Sequence, residues 1–153
     1  MIKLVKSNSE NRDFKKLVKN LDADLKIRDG ENHSFYNQFN KIDTIQNVVI
    51  AYENGKAIGC GCFKKCQNSR VEIKRMYVVP EVRRKGIARK ILYELENWAL
   101  ELGFTKCILE TGKQQPEAIQ LYKKHGYSIT SNFGFYENVE NSVCFEKIID
   151  QKS

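Results

Sequence analysis

A short basic segment holds the residues with the clearest potential for chemistry. Residues Arg83–Ala88 (RRKGIA) lie between a predicted strand and a predicted helix. A helix N-terminus exposes unpaired amide N–H groups and a partial positive charge, and Gly86 and the small Ala88 allow an anion to approach that backbone closely. The three basic side chains add charge. The segment therefore predicts a pyrophosphate site, with a basic helix start and an ordinary glycine as the alternative on these six residues alone.

Other phosphate-binding motifs do not occur in the sequence. It contains no GxxxxGK[ST] run and no GxGxxG after a strand, which argues against a P-loop NTPase and a Rossmann dehydrogenase.

The charge distribution also draws attention to this segment. The 26 Lys and Arg residues exceed the 19 Asp and Glu residues, for a net charge of +7. Residues 74–90 contain seven of these basic residues and one acid, Glu81. The excess suits a phosphorylated cofactor as well as it suits nucleic acid. Because the cluster holds one aromatic residue, Tyr77, and no nucleic-acid-binding motif is apparent, we expect no nucleic acid partner; a basic nucleic-acid-binding module is the alternative.

Length and composition are those of one globular domain. The 153 residues, 41% of them hydrophobic, suffice for a core, so we expect a single domain over residues 1–153. Apolar stretches are only a few residues long, and the start MIKLVKSNSE lacks the apolar core of a signal peptide. We therefore expect a cytoplasmic protein without a membrane partner.

The five cysteines are an odd number, which favours reduced thiols over a disulfide framework. Cys60, Cys62 and Cys66 share parity, so an unbroken strand would place all three on one face. Zinc is the alternative, but paired CxxC motifs and a nearby fourth ligand are missing. We expect small buried hydrophobic residues and no metal.

The elements that must position these residues follow from hydrophobic spacing and turn signals. Strand Ile2–Val5 precedes a helix over Asn11–Arg28 and a short helix over His33–Asn40. Asn47–Tyr52 and Ala57–Phe63 flank an Asn-Gly pair and form a predicted hairpin.

The second half predicts a β-α-β-α-β-β order. Its elements are a strand over Val71–Val79, a helix from Ile87 to Leu102, a strand over Lys106–Thr111, a helix from Pro116 to His125 and strands over Tyr127–Thr130 and Asn141–Lys147. The strand–helix–strand order from Val71 to Thr111 implies a right-handed crossover and a parallel pair. The fold class is therefore α/β, or α+β with a mixed sheet.

The sequence resembles the GNAT N-acetyltransferase superfamily in several spaced motifs. Arg83–Ala88 match that family's [RQ]-x-x-G-x-[GA] signature. The run VEIKRMYVVPEVRRKGIARKIL resembles its fourth strand, pyrophosphate loop and third helix. The run CILETGKQQPEAIQLYKKHGY resembles the following strand and helix, which end in LY-x-x-x-GY/F. The resemblance is strong over Val71–Tyr127, and most of the chain fits the family's element order.

The resemblance implies a central mixed, mostly antiparallel sheet flanked by helices, with acetyl-CoA between splayed parallel strands. The implied coenzyme contacts are main-chain groups of Met76, Tyr77 and Val78 for the pantetheine arm, the basic Arg83, and backbone amides of Arg84, Lys85, Gly86, Ile87, Ala88 and Arg89 for the pyrophosphate. Many relatives carry an asparagine before the tyrosine helix. This sequence has none there, and Gln115 is the candidate substitute.

The implied reaction is direct acetyl transfer to a primary amine of a small molecule or amino-acid-like metabolite. Tyr122 matches the family's tyrosine that protonates the coenzyme sulfur, and a phenol with a pKa near ~10 is protonated at neutral pH. The alternative is an aromatic ring packed at helical spacing with Ala118 and His125. Acyl transfer through Cys107 is disfavoured, since that residue sits in an apolar strand without an identifiable base.

Glu72 occupies the strand position where some relatives carry a glutamate that accepts the amine's proton. Its alternative role is an ion pair with Lys74, Arg75 or a residue across the sheet. His33 and His125 titrate near neutrality and are alternative bases.

The acceptor is read in this family by variable segments, here Leu21–Asn40 and Ser131–Asn141. Their aromatic residues are candidates for the acceptor pocket: Phe35, Tyr36, Phe39, Phe133, Phe135 and Tyr136. A GNAT fold retained as a coenzyme sensor is an alternative function. An exposed strand edge makes a homodimer reasonable.

Overall fold

A computed structural model describes residues 1–29 and 45–150. Within these ranges the elements are β1 (Ile2–Ser7), α1 (Arg12–Asp29), β2 (Asn47–Glu53), β3 (Lys56–Lys65), β4 (Arg70–Val78), α2 (Ile87–Glu101), β5 (Lys106–Gly112), α3 (Pro116–Lys124), β6 (Ser128–Thr130) and β7 (Ser142–Ile148), with 3-10 turns at Pro80–Val82 and Gly134–Tyr136. Each predicted element in these ranges is present within about two residues at either end. The predicted helix His33–Asn40 lies outside the described residues.

The seven strands of the described residues form one sheet in the order β1-β2-β3-β4-β5-β7-β6. Neighbouring strands are antiparallel except β4 and β5, which are parallel. The predicted mixed, mostly antiparallel sheet and its single parallel pair are therefore confirmed. Within the part of the chain that is described, β1 and β6 are the edge strands.

The β2–β3 hairpin turns on the predicted Asn-Gly pair. Asn54 and Gly55 have φ angles of 51° and 79°. Two successive central residues with positive φ are the requirement of a tight turn that matches the twist of the flanking strands. The local sequence therefore accounts for this hairpin without help from tertiary contacts.

Helices α1 and α2 pack against the described sheet through two separate hydrophobic clusters. The predicted stripe of α1, including Phe14, Leu17 and Leu21, is buried with Cys60 and Cys62. The apolar stripe of α2 is buried in the other cluster, together with strand residues such as Val49 and Leu109. A Cβ added at Gly59 would lie 3.0 Å from Ile91 Cδ1 of α2 and 3.0 Å from the Tyr77 carbonyl oxygen, so only glycine permits this close approach.

A bulge interrupts β4 opposite Gly61. Cys60 pairs with Tyr77 and Cys62 pairs with Lys74, so Arg75 and Met76 together face one residue of β3. Arg75 has φ of 58°, a left-handed conformation that costs a non-glycine residue about 1–2 kcal/mol. Bulges redirect side chains and are frequent beside active sites.

The prediction that three cysteines share one strand face is wrong for the third. Cys60 and Cys62 are buried against α1, as expected. Strand β3 ends at Lys65, so Cys66 follows it and is partly exposed. The described chain has free thiols at all five cysteine positions.

Candidate active site

A cleft opens where β4 and β5 separate. Their parallel ladder has three pairs, which end at Glu72 and Ile108. Both strands continue beyond that point, β4 to Val78 and β5 to Gly112, but they no longer pair with each other, so their facing edges part. The predicted splay of these two strands is confirmed.

The cleft has a volume of about 100 Å³, room for several water-sized groups. Its lining residues come from α1, both splayed strands, α3 with the residue before it, and the β6–β7 connection: Leu21, Leu25, Glu72, Ile73, Lys74, Arg75, Met76, Glu110, Thr111, Gly112, Gln115, Ala118, Tyr122 and Tyr136. Four of the sequence-predicted residues, Glu72, Met76, Gln115 and Tyr122, therefore meet at one place. Leu21, Leu25 and Tyr136 belong to the segments predicted to read the acceptor.

The basic loop leads from β4 into α2. Gly86 is the residue before the helix and has φ of 78°, and beyond its chain neighbours no atom of the described residues lies within 4 Å of a Cβ placed on it. In the described ranges, no backbone carbonyl accepts a hydrogen bond from the N–H groups of residues 84–89. The side chains of Arg84, Lys85 and Arg89 are exposed. Free amides, open space and positive charge therefore coincide, as an anion site requires.

Arg83 differs from its basic neighbours because its guanidinium is held by the protein. Its Nε donates a hydrogen bond of 2.8 Å to the Val78 carbonyl, and the group lies 5.5 Å from the centre of the Tyr77 ring. Its Nη2 lies 3.9 Å from Asp24 of α1. These contacts anchor the loop to the end of β4 and to α1.

Tyr122 is buried at the cleft wall. Its ring contacts Tyr127 and Phe145 at centroid distances of 5.8 and 5.9 Å. Burial raises the pKa of its phenol above the usual range, and the Glu110 carboxylate raises it further. The phenol therefore stays protonated at neutral pH, as a proton donor must. The alternative, that Tyr122 is a packed aromatic ring, is also partly correct, but the rings it contacts are those of Tyr127 and Phe145 and not the ring of His125.

Two carboxylates line the cleft from the two strands. Glu72 Oε2 lies 3.7 Å from Lys74 Nζ, so the predicted alternative of an ion pair is realised. Glu110 accepts a hydrogen bond of 2.6 Å from the Ser142 hydroxyl. Burial raises the pKa of the Tyr136 phenol, and both carboxylates raise it further. The cleft lining therefore combines two carboxylates, Glu72 and Glu110, with two buried phenols, Tyr122 and Tyr136.

Sequence reasoning missed Glu110. The signal was available, because Glu110 is the one charged residue of the strand segment CILET and follows three apolar residues. It lies two positions after Ile108, which pairs with Glu72, and residues two apart share a face of the sheet. Finding it required the register of β4 against β5.

His125 and Cys107, the alternative base and nucleophile that the structure describes, do not line the cleft. His125 is buried beside α2, with Nε2 3.6 Å from Glu96 Oε1, and His33 lies outside the described residues. Cys107 is fully buried, and that burial raises the pKa of its thiol to about 12. A neutral buried thiol is a poor nucleophile.

The predicted acceptor aromatics have different environments. Tyr136 lines the cleft, and Phe133 packs against it at 5.8 Å between centroids. Phe135 is 72% exposed. Phe35, Tyr36 and Phe39 lie outside the described residues.

Neither metal nor membrane features occur in the described ranges. No group of three or more His, Cys, Asp or Glu side chains there has the geometry to hold a metal ion. No helix of that part of the chain is both long and apolar enough to cross a membrane.

The sequence profile described as Acetyltransferase (GNAT) family matches residues 15–127, which is most of the chain. The chain belongs to this family. The resemblance inferred from Arg83–Ala88 and its flanking motifs is therefore confirmed, and the cleft of this GNAT chain lies within the matched residues apart from Tyr136.

Curated relatives carry acetyltransferase names. The IAA acetyltransferase of Azospirillum brasilense is 34% identical over 100 residues, which cover 65% of each chain. The Uncharacterized N-acetyltransferase YjgM of Escherichia coli (strain K12) is 37% identical over 82 residues, 52% of this chain and 48% of that one. The matched residues thus span less than two thirds of the length of either relative.

Solved structures share the fold over nearly the whole chain. A Klebsiella pneumoniae protein assigned to the acyl-CoA N-acyltransferases superposes with a TM-score of 0.83 at 27% identity, covering 97% of this GNAT chain and 98% of that one. The PaiA N-acetyltransferase of Thermoplasma acidophilum, solved in complex with coenzyme A, has a TM-score of 0.71 at 21% identity and covers 97% and 99%. This second likeness shows the fold alone.

Proposed function

We propose that this protein is an acetyl-CoA-dependent N-acetyltransferase that transfers the acetyl group directly to a primary amine of a small molecule. One observation carries the proposal: the β4–β5 ladder ends at Glu72 and Ile108, and the cleft beyond it brings Tyr122 and two carboxylates together. Family membership and the coenzyme-A complex of the Thermoplasma structure support the choice of acyl donor.

The pantetheine arm is expected along the free edge of β4. Val79 N–H bonds to Ile58 of β3, and the neighbouring Val78 carbonyl points the other way, where it accepts from Arg83. Met76 lies at the bulge, where two residues of β4 face one residue of β3, and its main chain is proposed to face the cleft as well. An extended ligand is therefore proposed to lie along Met76, Tyr77 and Val78 and to form main-chain hydrogen bonds with Met76 and Val78.

The pyrophosphate is expected at the loop before α2. Backbone amides of residues 84–89 and the helix N-terminus supply donors, and Arg84, Lys85 and Arg89 supply positive charge. Arg83 serves the same site indirectly because it fixes the loop against Val78 and Asp24. Gln115 lines the cleft beside α3 and is proposed to contact the coenzyme in place of the missing asparagine.

The chemistry needs a neutral amine, an acid and a base. When bound, acetyl-CoA supplies the activated acyl group as a thioester. Glu72 accepts the proton released as the ammonium becomes a nucleophilic amine, directly or through a water molecule. Tyr122 donates its phenolic proton to the sulfur as the carbon–sulfur bond breaks. Because Tyr122 is buried, its proton is retained until the thiolate forms.

The site of action is proposed to be a reducing compartment, the cytoplasm, since all five cysteines are free thiols. A homodimer through an edge strand, β1 or β6, stays a prediction.

A thiol-release assay with acetyl-CoA and a panel of primary amines tests the function. The expected result is CoA release that depends on both enzyme and amine, with an N-acetyl product detected by mass spectrometry. Acetyl-CoA binding without turnover on any amine would instead favour a coenzyme sensor.

A further inference from the structure

Arg75 is the most deeply buried charged residue of the cleft lining. It is 7% exposed, and it sits at the bulge of β4 with φ of 58°. The chain therefore bears a strained backbone and a buried charge at the same residue. Strained conformations at such positions persist where the surrounding structure enforces them, and they concentrate at functional sites.

The guanidinium of Arg75 has hydrogen-bonding capacity left over. Its Nη1 donates to Asp22 of α1, whereas its buried Nε has no hydrogen-bond partner within residues 1–29 and 45–150. A guanidinium has five N–H donors in a fixed planar arrangement. An unpaired buried donor costs about 1–3 kcal/mol, so the free protein carries a cost that a suitable acceptor atom would remove.

The geometry of the Arg75 guanidinium indicates which kind of hydrogen-bond acceptor would bind it. Asp22 engages the guanidinium at Nη1, so Nε is the donor that has no partner among the described residues. Carboxylates pair with guanidinium edges through two parallel N–H···O hydrogen bonds. The pyrophosphate of the coenzyme is already provided for at residues 84–89, at the other end of the β4–α2 connection.

The opposite wall of the cleft is acidic. Glu110 of β5 lines it and accepts a hydrogen bond from the Ser142 hydroxyl, and Glu72 on β4 lies 3.7 Å from Lys74. A molecule with an ammonium and a carboxylate group would match this polarity, with its cation toward Glu110 and its anion toward Arg75.

We infer that the acceptor is an amino acid or a related amino-carboxylate, whose carboxylate is bound by Arg75 and whose ammonium is received by Glu110. The inference rests on the proposed function and narrows its substrate class. Arg75 acts here as a specificity residue, and Glu72 remains the group that takes the proton.

The test compares acceptors that differ only in a carboxylate. The pairs are phenylalanine with phenethylamine, leucine with isoamylamine, and β-alanine with ethylamine, each assayed for thiol release with acetyl-CoA. At least one carboxylated member is expected to exceed its partner in kcat/KM by about 100-fold, because a site built for a charged hydrogen bond rejects the analogue that lacks it. Arg75→Gln is expected to bring that ratio to within about threefold of unity, mainly by raising KM for the acid.

Asp22→Asn is the matched control. It removes the same ion pair from the other side but leaves the guanidinium in place, so the carboxylate preference should remain. If both variants lose the preference equally, Arg75 acts only through its structural ion pair, and the inference is wrong.

A binding measurement covers the case in which Arg75→Gln does not fold. In the wild-type protein with CoA bound, the carboxylated member of a pair should raise Tm and its plain amine should not. Turnover of amines without any carboxylate preference overturns the inference and leaves the proposed function standing. Failure to bind CoA and to turn over any amine would overturn the proposed function, and the inference with it.

Discussion

Glu72 and Ile108 form the last pair of the parallel ladder between β4 and β5. Three pairs are enough to align the two strands, and the separation that follows creates the cleft. The bulge at Arg75 comes three residues later and places Lys74 and Arg75 in the same lining. The proposed catalytic and acceptor residues therefore lie together because the β4–β5 ladder ends at this pair.

Gly86→Glu tests the pyrophosphate loop. The added carboxylate would occupy the open space above the free amides and repel an anion, so we expect acetyl-CoA affinity to fall about tenfold or more, which is 1.4 kcal/mol. Gly55→Glu is the control, since Gly55 has nearly the same φ, 79° against 78°, and the same open surroundings. Calorimetric titration measures both. Equal affinity in the two variants would remove the loop from the coenzyme site.

Tyr122→Phe tests the proposed acid. The substitution keeps the ring packing and removes the proton, so we expect kcat to fall about 10²–10⁴-fold with little change in acetyl-CoA affinity. Tyr127→Phe is the control, because it removes the hydroxyl of the adjacent ring, which bonds to Glu96 at 2.8 Å. That variant should lose stability and keep kcat.

The raised pKa of Tyr122 also predicts a pH profile. Burial lifts the pKa above its ordinary value, so the acid form persists through neutral and mildly alkaline solution. The wild-type rate should not decline below about pH 10 through loss of this proton. A decline between about pH 7 and 9 that Tyr122→Phe abolishes would contradict the raised pKa, and a decline that persists in Tyr122→Phe would belong to another group.

Glu72→Gln and Glu110→Gln should differ in kinetics. Loss of the base lowers kcat, and we expect Glu72→Gln to do so by about 10²-fold or more. Glu110→Gln should mainly raise KM for the amine, since its role is to receive the ammonium. Steady-state kinetics on one amine separates the two, and the reverse pattern would exchange their roles.

Glu96 anchors a buried network away from the cleft. It accepts hydrogen bonds from Tyr127 at 2.8 Å and Lys147 at 2.9 Å. Burial alone would raise the pKa of Glu96, but His125, Lys147 and Tyr127 outweigh it and lower that pKa. Glu96→Gln should reduce the free energy of unfolding by about 1–3 kcal/mol in urea titrations, because it leaves the half-buried Lys147 without its counter-charge.

The sign of the pH effect follows from the lowered pKa. A carboxyl with a depressed folded pKa contributes stability that is present above its unfolded value, near ~4.3, and lost as pH falls through the folded value. The stability difference between wild type and Glu96→Gln should therefore shrink below about pH 4. Glu101→Gln is the control, since its ion pair with Lys6 is largely exposed and should contribute at most about 1 kcal/mol. A difference that grows on acidification would contradict the network.

Thiol labelling should single out Cys66. Burial raises the pKa of Cys62 and Cys107 to about 12, and that of Cys144 to about 11, whereas Cys66 is partly exposed. Iodoacetamide at neutral pH should modify Cys66 first and the others only on unfolding, as peptide mass spectrometry would show. Rapid labelling of Cys107 in the folded protein would contradict its burial and would support acyl transfer through this cysteine.

Local patterns were sufficient for the elements and for much of the site. The apolar stripes of α1 and α2, the Asn-Gly hairpin and the loop at Gly86 depend on residues close in sequence, so spacing and turn chemistry predicted them. Glu72 and Tyr122 came from motifs of the family.

Tertiary features were not predictable from the same patterns. A bulge at Arg75 has no sequence signature, because no glycine marks the positive φ. Glu110 became visible only through the register of β4 and β5. The hydrogen bond from Arg83 to the Val78 carbonyl depends on how the loop folds back on the strand. The exposure of Cys66 depends on where β3 ends.

The central claim is that this cleft and loop bind acetyl-CoA. Calorimetric titration of the purified protein with acetyl-CoA, beside CoA and dephospho-CoA, tests it most directly. We predict saturable binding at micromolar or lower Kd, with one ligand per chain. Absence of binding to all three would contradict the account and reduce residues 83–88 to a basic helix start.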